Sequence, residues 1–317
     1  MRSDRKDHLE RITLLKEKLS FLKGEDFEPA RSGTHYKVFL SDGYVLRFRD
    51  DDPELLFREV ELLKELEHPL IPKVLWSGKI GDSPVMVENR LPGANLDLVW
   101  KDLTDDHKDN VTGQIVCFLS YLRSQTRGHM YSVKTGKKYE NFSDLLTDGK
   151  EEKIEKIKEF KVAREGLKKL LSVIDNRELI KLCSDPKEVT VVHGDLINHN
   201  LILEGNNLSG VIDWELALYG DPDLDLCRLF YYHECAQDYL EKGTDDSFEA
   251  NFTDKLLEKI KRSELIKDSS DTFKKKYEFI RAAFLFDALF RATKSKDSKK
   301  NTREICELIQ KSGINYI

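Results

Sequence analysis

The sequence predicts an α+β protein whose N-terminal part is rich in antiparallel strands and whose C-terminal part is mainly helical. Short apolar runs separated by turn signals predict strand pairs in residues 36–48 and 74–88, with one helix between the pairs. From Asn95 onwards, apolar residues recur mostly at helical spacing. Residues 189–213 are the exception, because short apolar runs around turn residues predict a strand and then a β-hairpin.

The composition describes a highly charged chain and disfavours several classes of function. Of the 317 residues, 35% are charged and 39% hydrophobic, and the formal net charge of −6 gives no bulk electrostatic support to a nucleic-acid partner. No apolar run approaches the length of a membrane span, and the N-terminus lacks the apolar segment of a signal peptide. The five scattered cysteines contain no Cys-x-x-Cys and indicate reduced core thiols. We therefore expect a cytoplasmic protein without a nucleic-acid or membrane partner. We also expect a monomer, although composition does not determine the oligomeric state.

The N-terminal elements can be assigned in order along the chain. Leucine and isoleucine at helical spacing predict a leading helix within residues 1–25. A small polar loop at residues 30–35 precedes the first hairpin, whose second strand carries Arg47 and Arg49 on one face. Asp52-Pro53 predicts the start of the helix between the strand pairs, with an N-cap followed by proline.

The C-terminal elements are predicted from apolar periodicity and from loop composition. The lysines and glutamates of residues 150–175 are expected to form a solvated face with ion pairs along the helix. Helices are expected at residues 104–122, 150–175, 226–240 and 273–292, and polar segments at residues 125–149 and 242–254.

The stretch from residue 189 to 226 contains the residues with the clearest chemistry. After a short buried strand, a His-Gly-Asp loop ends at Asp195, Asn200 follows five residues later, and the hairpin separates it from Asp213. Because the two ends of a hairpin lie side by side, Asn200 and Asp213 should meet, and Asp195 lies on the loop that leads to them. Carboxylate and amide oxygens are ligands that suit Mg²⁺. The competing interpretation is an ordinary turn at His-Gly-Asp and a strand-end cap at Asp213.

The order of these residues resembles the catalytic and metal loops of kinase-like folds. The first loop reads His-Gly-Asp-x-x-x-x-Asn instead of His-Arg-Asp-x-x-x-x-Asn, and the second reads Ile-Asp-Trp-Glu instead of Asp-Phe-Gly. Together with Gly-Asp-Pro-x-x-Asp-Leu at residues 220–226, they resemble the aminoglycoside phosphotransferase and choline kinase-like family. The resemblance implies a two-lobed protein-kinase-like fold. It has an N-terminal nucleotide-binding lobe at residues 1–90 and a helical lobe at residues 91–317 with both loops and the acceptor pocket.

The resemblance also implies roles for the central residues in phosphoryl transfer to a hydroxyl, with ATP or GTP as donor. Asp195 is expected to act as the base, and Asn200 and Asp213 are expected to hold Mg²⁺. His193 is expected to bond to the loop backbone. Arg47, supported by Glu59, is expected to hold the phosphates that are not transferred.

The resemblance implies further nucleotide contacts, at positions where the sequence matches the family only in part. Arg49 is a rival to Arg47, since both lie on the same strand face. Ser32 and Gly33 are expected to cover the phosphates, although the loop has one glycine where a Gly-x-Gly-x-x-Gly would have three. The backbone from Glu88 to Arg90 is expected to contact the purine.

The acceptor is the least determined part of the prediction. An aminoglycoside-like antibiotic would need carboxylates around it, and Glu215, Glu234 and Asp238 lie in the appropriate part of the chain. The alternative is that they belong to a solvated acidic surface. An amino-alcohol, sugar or macrolide acceptor stays open, as does a nucleotide-binding pseudokinase. A protein kinase is disfavoured because residues 214–230 contain neither Ala-Pro-Glu nor a long activation segment.

Overall fold

The computed structural model describes residues 2–30, 37–241, 247–267 and 270–312, and the side chains at 8–30, 37–234, 251–267 and 271–312. The chain divides into two compact units. The first comprises Met1–Val111, Val133–Gly136 and Ile197–Ala217, and the second comprises Thr112–Ser132, Lys137–Leu196 and Leu218–Ile317. The first unit therefore takes in more of the chain than residues 1–90, and the lobe boundary after residue 90 stays a prediction.

The first unit is built on a five-stranded antiparallel sheet in the order β1-β2-β3-β5-β4. Its strands are β1 (Glu28–Pro29), β2 (Lys37–Leu40), β3 (Tyr44–Phe48), β4 (Val74–Ile80) and β5 (Ser83–Asn89). The leading helix α1 (Arg2–Lys18) is present, and Ile12 and Leu15 belong to the same apolar cluster as Phe48 and Val85 of the sheet. Burial of this shared apolar surface is what holds helix and sheet together.

Helix α2 (Pro53–Glu65) begins where the sequence predicts it. The side chain of Asp52 accepts a hydrogen bond from the Leu55 N–H at 3.1 Å, and Pro53 occupies the first turn. Glu59 lies on the buried face of α2 and has no exposed surface. A buried carboxylate is costly unless it is paired, so its partner identifies a site of interest.

The predicted hairpin is confirmed and completes the first unit. Strands β10 (Leu201–Glu204) and β11 (Asn207–Val211) are antiparallel, with Leu201 opposite Val211, and β6 (Ala94–Asn95) pairs with β10 as a third strand. A short helix α3 (Leu96–Val99) follows β6. Gly93, at a φ of 114°, lies so close to Leu203 that a Cβ there would meet its carbonyl oxygen at 1.8 Å. Only glycine permits this approach.

The second unit combines a small sheet with a helical core. The sheet has the order β8-β7-β12-β9, from β7 (Met130–Ser132), β8 (Lys138–Tyr139), β9 (Thr190–Val192) and β12 (Leu218–Gly220). The helices are α4 (Asp105–Ser124), α5 (Phe142–Leu146), α6 (Lys150–Lys158), α7 (Arg164–Ile174), α8 (Arg177–Ser184), α9 (Asp223–Glu241), α10 (Ser247–Arg262), α11 (Ser270–Lys294) and α12 (Ser298–Lys311). Residues of the helices from α6 to α8 and of α11 and α12 form one buried apolar cluster. Helix α4 begins in the first unit.

One prediction about local structure was wrong, and two segments described only as polar contain helices or strands. The charged helix at residues 150–175 is two helices, because Phe160 is extended and a 3-10 turn at Lys161–Ala163 separates α6 from α7. The polar segment at residues 242–254 contains the start of α10, whose apolar residue Phe252 is buried. The segment at residues 125–149 includes β7, β8 and α5. In the two polar segments tertiary packing outweighs a polar local composition.

The cysteines are mostly the buried thiols that were predicted. Cys183, Cys227 and Cys306 are buried and free, whereas Cys117 is free but exposed, which corrects its assignment to the core. The side chain of Cys235 lies outside the described residues. Burial raises the pKa of the Cys183 thiol to about 12, so it stays protonated and unreactive. Among the described residues, no helix combines the length and apolarity needed to cross a bilayer.

Candidate active site

The loop that carries Asp195 follows β9 in the second unit and is held by hydrogen bonds to its backbone. Gly194 has a φ of 80°, a conformation that glycine adopts at little cost. The carboxylate of Asp225, in the first turn of α9, accepts from the His193 N–H at 2.9 Å and the Gly194 N–H at 2.8 Å. The Asp195 N–H donates to Nδ1 of His193 at 3.2 Å. His193 is therefore part of the loop's internal bonding, and Asp225 anchors the loop.

Asp225, whose carboxylate anchors the loop, is buried. Burial raises the pKa of Asp225 to about 6, although the two N–H groups and Arg228 favour its charged form. Hydrogen bonds to an ionised acceptor are stronger than those to a neutral one. The loop is therefore anchored most firmly above pH 6.

The carboxylate of Asp195 has two side-chain donors on α9. Its Oδ1 accepts from Nη2 of Arg228 at 3.1 Å and from the hydroxyl of Tyr232 at 2.9 Å. Nε of Arg228 donates in turn to the Tyr232 oxygen at 3.2 Å, which closes a triangle of three side chains. Burial raises the pKa of Tyr232 to about 12, so the phenol keeps the proton that it donates to Asp195.

Sequence reasoning missed Arg228 and Tyr232, although a signal for them exists. Asp225, Arg228 and Tyr232 are separated by three and then four residues, so they share one face of a helix. Because Asp225 in the first turn bonds to the loop, the residues on the same helix face one and two turns later also lie towards the loop.

A second polar cluster in this unit holds the Gly-Asp-Pro segment. Nζ of Lys276, on α11, lies 2.8 Å from Asp221 and 3.0 Å from Asp223. Nη2 of Arg123, on α4, lies 2.5 Å from the other oxygen of Asp223. All four side chains are largely buried, and burial raises the pKa of Asp221. Two cations thus compensate two buried carboxylates, and the cluster joins three helices around the start of α9.

The first unit contains the predicted pair of Arg47 and Glu59. Nη1 of Arg47 lies 2.6 Å from one Glu59 oxygen, and Nη2 lies 3.2 Å from the other, so the pair is bidentate. Nη2 of Arg47 is also 3.7 Å from Oδ1 of Asp213, and Nη1 is 4.0 Å from Glu88. One arginine is therefore surrounded by three carboxylates, an excess of negative charge that suits a cation.

The pKa of Glu88 is strongly raised in this environment. Burial raises its pKa to about 7, and Arg47 opposes the shift while Glu59 and Asp213 add to it. A nearby divalent cation would favour the ionised form of Glu88, because a bound ion dominates the local electrostatics.

Arg49 has different partners from Arg47. Its Nη1 lies 2.5 Å from Glu215, and its Nε lies 3.3 Å from Asp51. The helix glutamate Glu59 thus pairs with Arg47, and whether either arginine contacts phosphate stays a prediction. Glu215 already carries a close cationic partner, so a substrate amine would have to compete with Arg49 for it.

Asn200 and Asp213 lie at the open end of the hairpin, as predicted. The Asn200 carbonyl accepts from the Ile212 N–H at 2.9 Å, so the residues that flank β10 and β11 are neighbours. Asp213 has a φ of 67° and is the non-glycine residue with a left-handed backbone among those described. Such conformations cost energy and tend to be kept at functional positions, and aspartate tolerates them better than most residues.

The donor set at this end of the hairpin fits Mg²⁺. It offers an amide oxygen and a carboxylate, which are hard ligands, beside an excess of negative charge. In the described part of the chain, no three His, Cys, Asp or Glu residues are grouped as a metal site. Mg²⁺ does not need such a cage, because it usually keeps waters and takes phosphate oxygens as ligands. Asp195 belongs to the second unit, and its convergence with these two residues stays a prediction.

The remaining predicted site residues have varied surroundings. The Arg90 N–H donates to the Gly43 carbonyl at 2.9 Å, so this group is already used in the first unit. In the second unit, Glu234 pairs with Arg281 at 2.9 Å. Asp238 belongs to α9, but its side chain lies outside the described residues, as do Ser32 and Gly33 altogether.

Comparison with known proteins identifies the fold and the family of this chain. No curated protein matches the sequence. Among solved structures, a thermostable mutant of the aminoglycoside phosphotransferase APH(4)-Ia with AMP-PNP and hygromycin B has a TM-score of 0.69 at 17% identity, over 95% of this chain and 98% of the other. The streptomycin–ATP complex of APH(2")-IIa has a TM-score of 0.68 at 20% identity, over 97% and 98%.

The ADP-bound structure of APH(2'')-Ib, at 21% identity and a TM-score of 0.67, covers 95% of this chain and 96% of its own. These similarities confirm the two-lobed kinase-like fold that the motifs predicted. The model of the phosphotransferase enzyme family matches residues 26–257, which is most of the chain. The chain therefore belongs to the phosphotransferase enzyme family and is an enzyme that transfers phosphate to a hydroxyl.

Proposed function

We propose that the enzyme transfers the γ-phosphate of ATP or GTP to a hydroxyl of an aminoglycoside-like acceptor, with Mg²⁺ as cofactor. The observation that carries the proposal is the carboxylate of Asp195, presented on a loop that Asp225 anchors within the motif of a phosphotransferase family. The similar structures contain nucleotides together with hygromycin B or streptomycin, which supports the choice of donor and acceptor.

In this mechanism the chain positions reactants and supplies charge. Asp195 orients the acceptor hydroxyl and accepts its proton. Asn200 and Asp213 hold Mg²⁺, which neutralises charge on the phosphate oxygens when it is bound. Arg47, oriented by its bidentate pair with Glu59, binds the phosphates that are not transferred.

The proposal also assigns residues that contact the nucleotide and the acceptor. Ser32 and Gly33 cover the phosphates, and the backbone from Glu88 to Arg90 meets the purine. Glu215, Glu234 and Asp238 serve a cationic acceptor. We further propose a nucleotide-binding lobe at residues 1–90 and an acceptor lobe at residues 91–317, in a cytoplasmic monomer without a nucleic-acid or membrane partner.

One observation favours a second class of acceptor. Glu215 and Glu234 are each paired with an arginine, at 2.5 Å and 2.9 Å. A polycationic antibiotic would have to displace both pairs, whereas an amino-alcohol, sugar or macrolide carries less charge. These smaller or less basic alcohols therefore form the alternative. A pseudokinase is disfavoured because Asp195, Asn200 and Asp213 are all present.

A nucleotide-consumption assay with Mg²⁺ tests the proposal. ATP and GTP are each offered with a panel of aminoglycosides, amino-alcohols, sugars, macrolides and a peptide, and the phosphorylated product is identified by mass. Turnover of an aminoglycoside supports the proposal. Turnover of the peptide alone, or nucleotide binding without turnover of any acceptor, contradicts it.

Asp195→Asn is the matching variant. Since a positioned base contributes roughly 10²- to 10⁴-fold, we expect kcat to fall at least about 100-fold while nucleotide affinity stays within a factor of about two. A variant that retains a substantial fraction of the wild-type rate would show that Asp195 is not the base.

A further inference from the structure

The surroundings of Asp195 extend beyond the residues of the family motif. Arg228 and Tyr232 both bond to the same oxygen, Oδ1 of Asp195, at 3.1 Å and 2.9 Å. The two donors also bond to each other at 3.2 Å. The Asp195 side chain keeps 19% of its surface exposed, whereas Arg228 keeps 15%. Both side chains are therefore largely shielded, and the carboxylate of Asp195 keeps part of its surface in contact with solvent.

The partners of Asp195 are themselves held in place. The Arg228 guanidinium lies over the ring of Phe284, on α11, at 4.6 Å and over the ring of Tyr232 at 5.3 Å. Burial opposes the charge on Arg228, but Tyr232 and Asp195 outweigh it and raise its pKa above the ordinary value. A planar cation with fixed donors defines the orientation of a carboxylate better than a flexible one.

A carboxylate at the end of a short side chain can rotate about its last bond unless its oxygens are bonded. Two donors on one oxygen, arriving from two neighbouring turns of α9, restrict this rotation. Catalytic groups lose much of their effect when their orientation is wrong by a small amount, because rate depends on a near-attack geometry.

We propose that Arg228 and Tyr232 are positioning residues that hold the Asp195 carboxylate in the orientation required by the acceptor hydroxyl. This inference rests on the proposed function of Asp195 as the base. It assigns a role to Arg228 and Tyr232, which lie on α9 one and two turns after the loop anchor, Asp225. The same helix thus fixes both the backbone of the loop, through Asp225, and the side chain that the loop presents.

The first test separates rate from binding. Tyr232→Phe removes one hydroxyl and keeps the ring, so we expect kcat to fall about tenfold. Arg228→Met keeps the apolar stem over Phe284 and should lower kcat about 100-fold, while Arg228→Lys should recover part of that loss. The KM for nucleotide is expected to stay within a factor of about two in all three variants, because the arginine cluster proposed to bind nucleotide belongs to the first unit and the substituted residues belong to the second.

Tyr231→Phe is the matched control. It removes a hydroxyl from the preceding residue, whose ring packs against Phe284 and the apolar cluster of the second unit. We expect kcat within about twofold of the wild type. Equal losses in Tyr231→Phe and Tyr232→Phe, or unchanged kcat in Tyr232→Phe and Arg228→Met, would overturn the proposal.

Crystal structures of the full-length wild type and of the Arg228→Met/Tyr232→Phe double variant give a readout that needs no turnover. The proposal expects the Asp195 carboxylate to adopt a different rotamer, or several, in the double variant. A carboxylate that keeps its orientation overturns it. If the wild type phosphorylates no acceptor, the proposed function fails, and the two structures still decide whether Arg228 and Tyr232 orient Asp195.

Discussion

At the scale of single residues, buried charges carry most of the chemistry that the fold supports. Glu59, Glu88 and Arg47 are all buried in the first unit, whereas in the second Asp225 is buried and Arg228 is 15% exposed. Each lies next to an opposite charge or to backbone donors, as buried charges must. The motifs include Asp195, Asn200, Asp213 and the loop anchor Asp225, whereas the donors to Asp195, Arg228 and Tyr232, lie outside any motif.

Glu88 gives a prediction about stability. Its pKa is about 7 in the folded state and 4.5 ordinarily, so between these pH values the folded protein holds a proton that the unfolded chain has lost. The free energy of unfolding therefore falls as pH rises from 4.5 to 7, by on the order of 3 kcal/mol for this group. Glu88→Gln lacks the titration and should show a smaller fall.

Urea unfolding at pH 5 and pH 8 measures the difference between wild type and Glu88→Gln. Glu61→Gln, at an exposed position of α2, is the control and should follow the wild type. An identical pH dependence in wild type and Glu88→Gln would show that Glu88 is not the group that couples folding to protons in this range.

At the scale of elements, α9 is the part of the second unit that organises the candidate base. Its first turn bonds to two consecutive backbone N–H groups of the loop through Asp225, and its next two turns bond to Asp195. The cluster of Lys276, Asp221 and Asp223 fixes where this helix begins. The candidate base is thus bonded to a helix that begins 28 residues later in the chain.

Asp225→Asn tests the anchor. An amide oxygen is uncharged and can replace only part of the bonding to two N–H groups, so the loop should lose about 1–3 kcal/mol of support. We expect kcat to fall about tenfold or more and the protein to unfold at lower urea concentration, with nucleotide KM little changed. Steady-state kinetics and urea titration measure both effects, and a full wild-type rate would mean that the loop holds its shape without Asp225.

At the scale of the whole molecule, the cluster of Arg47, Glu59, Glu88 and Asp213 predicts that ligands stabilise the protein. A ligand that binds only the folded state at 100 times its Kd contributes about 2.7 kcal/mol. We expect ATP or GTP with Mg²⁺ to raise Tm by several degrees, and EDTA to remove most of that increase.

Asp213→Asn is the variant that ties this effect to the hairpin end. It should lose the part of the Tm increase that depends on Mg²⁺ and keep a smaller increase from the nucleotide alone. Thermal unfolding followed by fluorescence, with and without EDTA, gives both values. An Mg²⁺-dependent increase of wild-type size in Asp213→Asn would place the metal elsewhere.

Patterns in the sequence were enough for the α+β architecture, the hairpin, the start of α2 and the family. These features depend on local periodicity, capping and a motif with a fixed order, all of which are properties of neighbouring residues. The pairing of Arg47 with Glu59, 12 residues apart, needed the family resemblance as well.

Other features required the folded chain. The split between α6 and α7, the start of α10 in a polar segment, and the partners of Asp195, Glu215 and Glu234 could not be predicted from local pattern. Each depends on which surfaces are buried together and on charges that lie 33 to 166 residues apart in the chain. The pKa of Glu88 depends on burial, and the orientation of Asp195 depends on its hydrogen-bond donors. Both are created only when distant parts of the chain pack together, so the tertiary structure determines them.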